Sequence, residues 1–433
     1  MARSPLLPAV LYLLAVSSSA CLNAQTISFA KPTQISAGAP AGDVARAYLA
    51  GNFNGDGKTD MISQINNAPN SSTYYLNYKF LSGDGTGNFS LKGAPTSGQP
   101  NALLTTLENL AAFPVVADVN GDRKDDIVTL LGACLENGQP CGSGALSVYL
   151  SNGNGRFTAG YTHQLPAGTA AGVVGDFNKD GKPDVAVFIY PTDNTSNFTG
   201  YLLIFLNQGN GSFAATTYEV PVVGNGVTLL AAPVVGDFMG NGNLDLGLLT
   251  SADQGPPFLY TFAGNGKGVF ASAEYRYTFD SNANPYFENN VMQAANLNGD
   301  GSTDLVVGLE GRSSTANSRV PSLIANPSGG FGWFSAVYLP AFPSTILLSD
   351  LNGDGKQDLV FLGTKDNKSA TGGIYPGLGN GEFETPNTPI NVTGSYPFLP
   401  TALAVPLQKG ELPSLIISND RSTIELLVNT TKK

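Results

Sequence analysis

The segment DFNKDGKPD at residues 176–184 decides the fold of this chain, because five further segments repeat its pattern. They read NFNGDGKTD (52–60), DVNGDRKDD (118–126), DFMGNGNLD (237–245), NLNGDGSTD (296–304) and DLNGDGKQD (350–358). Their starts lie 66, 58, 61, 59 and 54 residues apart. A repeat of this length is typical of an array or a propeller of similar units, not of a single enzyme core.

Oxygen-bearing side chains occupy positions 1, 5 and 9 of every segment and position 3 of all but one. Calcium prefers several oxygen ligands, and alternate residues of a tight loop can converge on one ion. An ion-free turn remains the alternative for any single copy, but a turn does not need Asp at position 9. The pattern therefore predicts up to about six Ca²⁺ ions. The predicted ligands are Asn52, Asn54, Asp56, Asp60, Asp118, Asn120, Asp122, Asp126, Asp176, Asn178, Asp180, Asp184, Asp237, Asn241, Asp245, Asn296, Asn298, Asp300, Asp304, Asp350, Asn352, Asp354 and Asp358.

The six copies are not equal as ligand sets. Asn52 and Asn296 open their segments with a neutral amide, so these copies are expected to bind calcium less tightly. Arg123 stands where the other copies have a glycine that relieves a tight turn. Met239 cannot ligate a hard cation, which makes 237–245 the weakest candidate.

The residues after each segment exclude an EF-hand. An EF-hand needs a glutamate at position 12 and flanking helices, whereas position 12 is Ser63, Val187 or Phe361 in three copies. Short apolar runs follow instead, such as VAVFI at 185–189, and such runs are typical of buried strands. Each acidic segment is therefore expected to join two strands of a hairpin.

A second signal follows each acidic segment by 33–39 residues. It is a glycine-rich turn that ends in an aromatic residue, as in GNGSF, which ends at Phe213. Glycine-rich pairs favour tight hairpin turns, and further strands precede several of them. The equivalent aromatic residues are Phe89, Phe157, Phe270, Phe331 and Phe383. Each repeat thus predicts four antiparallel strands, the blade of a β-propeller.

A seventh copy, PLQKGELPS at 406–414, keeps the frame but has lost the acids. The chain then ends one strand short of a complete blade. The segment TISF at 26–29 resembles the missing last strand and is predicted to complete that blade and close the ring. The expected fold is all-β: a seven-bladed β-propeller of four-stranded antiparallel blades over residues 25–433.

The acidic loop followed by a strand and a later Gly-Asn-Gly-x-Phe turn resembles the FG-GAP repeat of integrin alpha-subunit propellers. It is closer still to the FG-GAP/VCBS-type repeats of secreted bacterial proteins. The resemblance covers roughly residues 26–429. The family that it points to includes adhesion receptors, lectins and polysaccharide lyases. It implies a binding or adhesion module for an extracellular protein or glycan, with a carbohydrate-active enzyme such as a polysaccharide lyase as the alternative.

Composition and targeting signals agree with an exported protein. Residues 1–24 carry Arg3, a short apolar run and small residues, which indicates a signal peptide cleaved after Ala20 or Ala24. A lipid anchor at Cys21 is a second hypothesis, which Ser18 disfavours. No later stretch is long and apolar enough to predict a transmembrane segment. We therefore expect a secreted, periplasmic or cell-surface protein, and the monomer is the expected state.

Charge and cysteine content refine this expectation. The net charge of −11 reflects the acidic segments. The sequence has no cluster of Lys and Arg that would indicate a nucleic-acid partner, so none is expected. In an oxidising compartment, Cys134 and Cys141 are expected to form a disulfide.

The sequence offers few candidates for catalysis. His163 is the one histidine, which disfavours histidine-based triads and zinc sites, and a half-buried strand position is its simpler interpretation. Carboxylate catalysis stays open. Ligand-binding loops are expected on the face opposite the acidic segments, at 91–112, 190–200, 280–290 and 310–320. Candidate aromatic contacts, for which packing between blades is the alternative, are Tyr74, Tyr75, Phe198, Tyr286, Phe287 and Trp333.

Overall fold

Seven four-stranded antiparallel sheets make up this protein, as the repeat predicts. The structure is a computed structural model. It describes residues 26–37, 44–66, 76–92, 114–131, 135–136, 139–140, 144–166, 169–190, 199–221, 228–229, 231–251, 257–271, 274–279, 292–309, 318–326, 330–365, 369–385, 388–392, 401–418 and 424–432. Within these ranges every regular element is a strand, and none of them contains a helix able to span a membrane.

The first three blades follow one another along the chain. Blade 1 contains β2 (Val44–Gly51), β3 (Asp60–Asn66), β4 (Leu76–Gly83) and β5 (Phe89–Leu91). Blade 2 contains β6 (Val115–Ala117), β7 (Asp126–Leu131), β10 (Gly144–Ser151) and β11 (Phe157–Leu165), and it carries a small hairpin of β8 (Leu135–Glu136) and β9 (Gln139–Pro140). Blade 3 contains β12 (Thr169–Gly175), β13 (Asp184–Tyr190), β14 (Thr199–Asn207) and β15 (Phe213–Pro221).

The next three blades repeat the arrangement. Blade 4 has an interrupted inner strand, β16 (Thr228–Leu229) and β17 (Val234–Gly236), followed by β18 (Asp245–Ser251), β19 (Pro257–Phe262) and β20 (Glu274–Thr278). Blade 5 contains β21 (Met292–Ala295), β22 (Asp304–Val307), β23 (Arg319–Ala325) and β24 (Phe331–Tyr338). Blade 6 contains β25 (Phe342–Ser349), β26 (Asp358–Lys365), β27 (Ser369–Tyr375) and β28 (Thr388–Ile390).

Blade 7 joins the two ends of the described chain. Its strands are β29 (Thr401–Val405), β30 (Ser414–Ser418), β31 (Ile424–Leu427) and, from the N-terminal side, β1 (Thr33–Ile35). The predicted closure is confirmed, although the regular outer strand is β1 and not residues 26–29. Phe29 nevertheless forms a β-bridge with Asn429, the same pairing that Phe213 makes with Asn207 in blade 3. Phe29 therefore takes the place of the aromatic residue that ends the glycine-rich turn in other blades.

Contacts between inner strands close the ring. The inner strand of each blade contacts that of the next, from β2 through β6, β12, β17, β21 and β25 to β29, and β29 contacts β2 again. Closure leaves no blade with an unpaired face.

The apolar core lies between blades and not within them. Seven clusters of buried side chains occupy the seven junctions. The second strand of blade 3 shows how this arises, because Val185 and Val187 face blade 2 while Ala186 and Phe188 face blade 4. A strand buried on both faces needs a continuous apolar run, which explains the composition of these strands.

Candidate functional site

The six acidic segments, now called loops 1 to 6 in chain order, each connect the inner strand of a blade to its second strand. Position 9 is the first residue of that second strand, as with Asp60 in β3 and Asp184 in β13. The glycine-rich turns, called glycine turns below, connect the third and fourth strands at the same end of each blade. In loop 3 the Lys182 side chain lies against Gly209 of its own glycine turn. Acidic loops and glycine turns therefore share one face of the ring.

Loop 3 shows the geometry of the loop tip. The carboxylate of Asp176 accepts the backbone N–H of Asp180 at 3.0 Å and that of Gly181 at 2.9 Å. The Asn178 side-chain oxygen accepts the same Asp180 N–H at 3.0 Å. One shared donor therefore holds the oxygens of positions 1 and 3 within about 6 Å of each other. The Asp180 carboxylate accepts the backbone N–H and the ammonium group of Lys182.

The other five loops share hydrogen bonds of this network. The position 1 oxygens accept N–H groups of positions 4 to 6 in loops 1, 2, 4, 5 and 6. Loop 4 keeps this fold although Met239 replaces the ligand at position 3, since Asp237 still accepts from Asn241 and Gly242. Loop 2 keeps it although Arg123 adopts a φ of 70°, a conformation that costs a non-glycine residue free energy.

The position 9 aspartates are buried, and each links two segments of its own blade. Asp184 is 0% exposed. Its Oδ2 accepts the Phe177 N–H at 2.9 Å, and its Oδ1 accepts the Asn207 N–H at 2.8 Å. One carboxylate thereby joins the acidic loop to the glycine turn of the same blade. Equivalent pairs of backbone hydrogen bonds are made by Asp60, Asp126, Asp245, Asp304 and Asp358.

Burial destabilises the charged form of these carboxylates. Loss of hydration raises the pKa of Asp184 to about 6, the two backbone N–H bonds oppose this rise, and the charges of Asp180 and Asp176 add to it. The pKa is raised to about 6 for the same main reason at Asp60, Asp126, Asp304 and Asp358, and it is also raised at Asp245. At neutral pH each loop therefore holds excess negative charge that a cation would stabilise.

Position 2 of each loop joins neighbouring blades. Phe177 of loop 3 is buried against Phe270, the last residue of the glycine turn in blade 4, with ring centroids 5.4 Å apart. The Phe177 carbonyl also accepts the Gly268 N–H of that turn at 2.9 Å. Phe53 packs on Phe157 in the same way, at 5.6 Å. The acidic loop of one blade thus contacts the glycine turn of the next blade across the junction. The spacing of the two motifs in the sequence did not reveal this contact.

The seventh copy, loop 7 (406–414), keeps this framework without acids at positions 1, 5 and 9, although it carries Glu411 at position 6. Leu407 at position 2 is buried at the junction of blades 7 and 1. Ser414 replaces the aspartate at position 9, and its hydroxyl accepts the Asn429 N–H at 3.0 Å. The absence of predicted ligands in loop 7 thus leaves the scaffold intact.

The donor set of loops 1 to 6 suits calcium. All predicted ligands are carboxylate or amide oxygens, and each carboxylate oxygen that accepts one hydrogen bond retains a second lone pair. Among the described residues, no three Asp, Glu, His or Cys side chains already surround one point. Calcium would therefore be held by mixed Asp and Asn oxygens of positions 1, 3 and 5, with the buried Asp of position 9 approaching through its remaining lone pairs.

A cavity of about 350 Å³ opens on the same face where the ring closes, between blades 7 and 1. Its lining residues come from loop 1, loop 7, the ends of β2 and β29, and loop 2. They are Ala50, Gly51, Asn52, Gly57, Lys58, Thr59, Asp125, Val405, Pro406 and Lys409. Sequence analysis missed this site, because it singled out loop 7 only for its lost acids.

The remaining sequence candidates fall into three groups. Trp333 lies on β24, the outer strand of blade 5, and it is 40% exposed with the Arg319 guanidinium 5.6 Å from its ring centroid. His163 packs edge-on against Phe205 of blade 3, as its simpler interpretation predicts. Outside the described residues lie Tyr74, Tyr75, Phe198, Tyr286, Phe287, Cys134, Cys141, the predicted signal peptide and most of the predicted ligand-binding loops.

Comparison with known proteins supports the repeat assignment. Residues 118–187 match the family described as FG-GAP-like repeat. This match and the seven blades fit a propeller built of FG-GAP repeats. No curated protein matches the sequence.

Two solved structures show distant similarity. One is a lectin from Agrocybe aegerita that recognises non-reducing terminal N-acetylglucosamine, with 18% identity, a TM-score of 0.48, and 80% of each chain covered. The other is the fucose-specific lectin of Aleuria aurantia, with 10% identity, a TM-score of 0.40, and coverage of 80% of this chain and 95% of that chain. Similarity at this level does not bear on the ligand of the present chain.

Proposed function

We propose that this chain is an exported, calcium-stabilised β-propeller that acts as a binding module for extracellular glycan or protein. The observation that carries the calcium proposal is the buried carboxylate at position 9. In five loops its pKa is raised to about 6, so at neutral pH, without calcium, each of these carboxylates carries a negative charge that burial destabilises. A divalent cation at the loop tip would offset that charge.

The calcium role in this proposal is structural. Asp184 joins two segments of one blade, and Phe177, the residue after ligand position 1, joins two blades. An ion that fixes the loop tip would therefore also fix the strand pairing and the junction. When calcium binds, it supplies charge neutralisation and loop order, while the residues of the chain supply the framework.

The binding role draws support from apolar side chains that the fold leaves exposed. Phe334 and Tyr338 on the outer strand β24 are 50% and 69% exposed, and Trp333, which directly precedes Phe334, is 40% exposed. Three exposed aromatic residues therefore lie within six positions of one outer strand. Such side chains provide stacking surfaces for sugar rings or contacts for a protein partner.

A calorimetric titration of the chelator-treated protein with CaCl₂ tests the metal proposal. We expect saturable binding at several sites and a rise in melting temperature, since each site occupied at 100 times its Kd adds about 2.7 kcal/mol. An unchanged melting curve in excess EDTA would contradict a structural role for the loops. As a matched pair, Asp180→Asn should weaken binding, whereas Glu411→Gln in loop 7 should not.

A glycan array, run with and without calcium, tests the binding role. We expect calcium-dependent retention of a defined set of glycans, and a Phe334→Ala/Tyr338→Ala variant that binds them less. Cleavage of acidic polysaccharide by the purified protein would instead support a polysaccharide lyase. For export, mass spectrometry of the secreted protein should show loss of the segment up to Ala20 or Ala24.

A further inference from the structure

Loops 1 and 4 are held at position 1 by the loop of the following blade. Asp125, at position 8 of loop 2, donates its N–H to the Asn52 carbonyl at 3.0 Å, and its Oδ2 accepts the Asn52 N–H at 2.6 Å. Thr303, at position 8 of loop 5, binds Asp237 of loop 4 in the same way, with distances of 2.8 and 3.0 Å. Each pair of hydrogen bonds, called a clamp below, engages both backbone polar groups of a predicted calcium ligand.

The clamped residue is the one whose side chain organises the tip of its own loop. The Asp237 carboxylate accepts the Gly242 N–H at 2.6 Å. The Asn52 side chain accepts the Gly57 N–H at 3.1 Å and donates to the Arg123 carbonyl of loop 2 at 3.3 Å. Because the clamp fixes the backbone that carries this side chain, it also restricts where the ligand oxygen can lie.

The clamping residue is bonded in the chain to a predicted ligand of its own loop. Asp126 follows Asp125, and Asp304 follows Thr303. Asp126 is 0% exposed, and its carboxylate accepts the Ser151 N–H at 2.7 Å. Two successive residues therefore carry a buried ligand of one loop and the clamp on the neighbouring loop. Order in loop 2 is thus passed to loop 1 through a short, buried connection.

Loop 3 adjoins loop 2 without a clamp. A clamp needs an N–H and a side-chain acceptor in one residue, and Pro183 at position 8 of loop 3 has neither. Leu244 at position 8 of loop 4 has no polar side-chain atom, and its side chain lies beside Gly175 of β12. Loops 2 and 3 are therefore neighbours that can be compared with the clamped pairs.

In both clamped pairs the clamped loop has the poorer ligand set. Loop 1 begins with the neutral Asn52, whereas loop 2 begins with Asp118. Loop 4 has Met239 at position 3, where loop 5 has Asn298. Loops 2 and 5 are therefore expected to fill at lower calcium concentration than the loops they clamp.

We infer that calcium binding in loop 2 raises the calcium affinity of loop 1, and that binding in loop 5 does the same for loop 4. The position 1 residue must lose backbone freedom when its loop binds an ion, and this ordering opposes binding. A clamp whose own loop is already fixed by an ion removes that freedom beforehand, so the second ion meets a preorganised loop. By linkage the coupling is reciprocal. The inference rests on the proposed calcium role and adds coupled pairs to it, with loop 3 independent of loop 2.

Calcium titration of the chelator-treated full chain, labelled with ¹⁵N-glycine and followed by NMR, tests the coupling loop by loop. The N–H groups of Gly57, Gly121, Gly181 and Gly242 each donate to the position 1 side chain of their own loop. Their signals therefore report the filling of loops 1, 2, 3 and 4 separately.

Asn120→Ala weakens loop 2 by removing its position 3 ligand, and loop 4 shows that a loop keeps its fold with Met239 at that position. We expect the Gly121 midpoint to rise and the Gly57 midpoint to rise with it by at least about fivefold. Gly181 is the matched control, because loop 3 borders the same weakened loop without a clamp. Its midpoint should not move.

Variants of the clamp separate its hydrogen bonds from its charge. Asp125→Asn keeps a side-chain acceptor, so the coupling should persist, whereas in Asp125→Ala the Gly57 midpoint should no longer respond to loop 2. Thr303→Ser and Thr303→Val make the same comparison for loops 4 and 5, read at Gly242, with Asp300→Asn used to weaken loop 5. This second pair decides the question if Asp125→Ala does not fold.

Three outcomes would contradict the coupling. An unchanged Gly57 midpoint in Asn120→Ala, or equal shifts at Gly57 and Gly181, would overturn it and leave the calcium role standing. A lower Gly57 midpoint would overturn it as well, because repulsion between ions in neighbouring loops would then outweigh the clamp. If no glycine signal responded to calcium, the calcium role and the coupling would fail together.

Discussion

Calcium-free protein should become more stable as the pH is lowered from 7 to 5. The position 9 carboxylates have a pKa raised to about 6 in the folded chain, against about 3.9 in an unfolded chain. Between these two values the folded state binds more protons than the unfolded state. Stability is therefore lost as the pH rises through 6 and is regained as the pH falls towards 4.

The size of the effect follows from the two pKa values. For one such carboxylate, linkage gives a gain of about 1 kcal/mol between pH 7 and pH 5. Five independent carboxylates would give about 5 kcal/mol, because each lies in a separate blade. The carboxylate of Asp180 has a lowered pKa owing to its bond with Lys182, so its titration falls below this window. The chain has one histidine, which limits other changes of charge in the same range.

Urea unfolding of protein dialysed against chelator, at pH 7, 6 and 5, measures this gain. With excess calcium the slope should reverse, because protons then compete with the ion for the same carboxylates. Asp184→Asn should reduce the calcium-free gain by about 1 kcal/mol. If the free energy of unfolding of the calcium-free protein fell between pH 7 and pH 5, the claim that burial raises the pKa of these carboxylates would be refuted.

Three further outcomes follow from the junctions and the loops. Phe177→Ala should lower the free energy of unfolding by about 3–5 kcal/mol in urea melts, whereas Phe334→Ala, which is half exposed, should change it by less than about 1 kcal/mol. Arg123→Gly should raise the melting temperature, because glycine relieves about 1 kcal/mol of strain at a φ of 70°; Gly181→Arg at the same position of loop 3 should lower it. Deletion of residues 26–36 should leave β31 as an open edge, and light scattering should then detect aggregation.

The sequence predicted the fold because its two signals recur in register. The acidic segments fixed the number of repeats, and the pairing of Phe29 with Asn429 confirms which end supplies the last strand. Residues 28–30 pair with 428–430 as predicted, but the predicted strand was too short, since β1 continues the pairing from Thr33 to Ile35. Four residues with strand-like composition could not reveal that the regular pairing resumes farther along the chain.

The candidate sites were only partly accessible from the sequence. Alternating acids predict ligands, but they do not show that the position 9 carboxylate is buried between two backbone N–H groups. The break in the inner strand of blade 4, between β16 and β17, had no signal that we recognised. The cavity was missed because loops 1 and 7, which line it, lie far apart in sequence and come together only through ring closure.

Loop 7 separates two roles that loops 1 to 6 combine. It keeps the apolar residue at position 2 and one hydrogen bond at position 9, through Ser414, and its blade still forms. The framework of a blade therefore depends on positions 2 and 9, while the oxygens of positions 1, 3 and 5 are available for an ion. Loop 7 has lost those oxygens and carries Lys409 and Glu411 instead, so the loop has no net charge where loops 1 to 6 are acidic. The lack of calcium ligands and the survival of the blade thus both follow from the composition of residues 406–414.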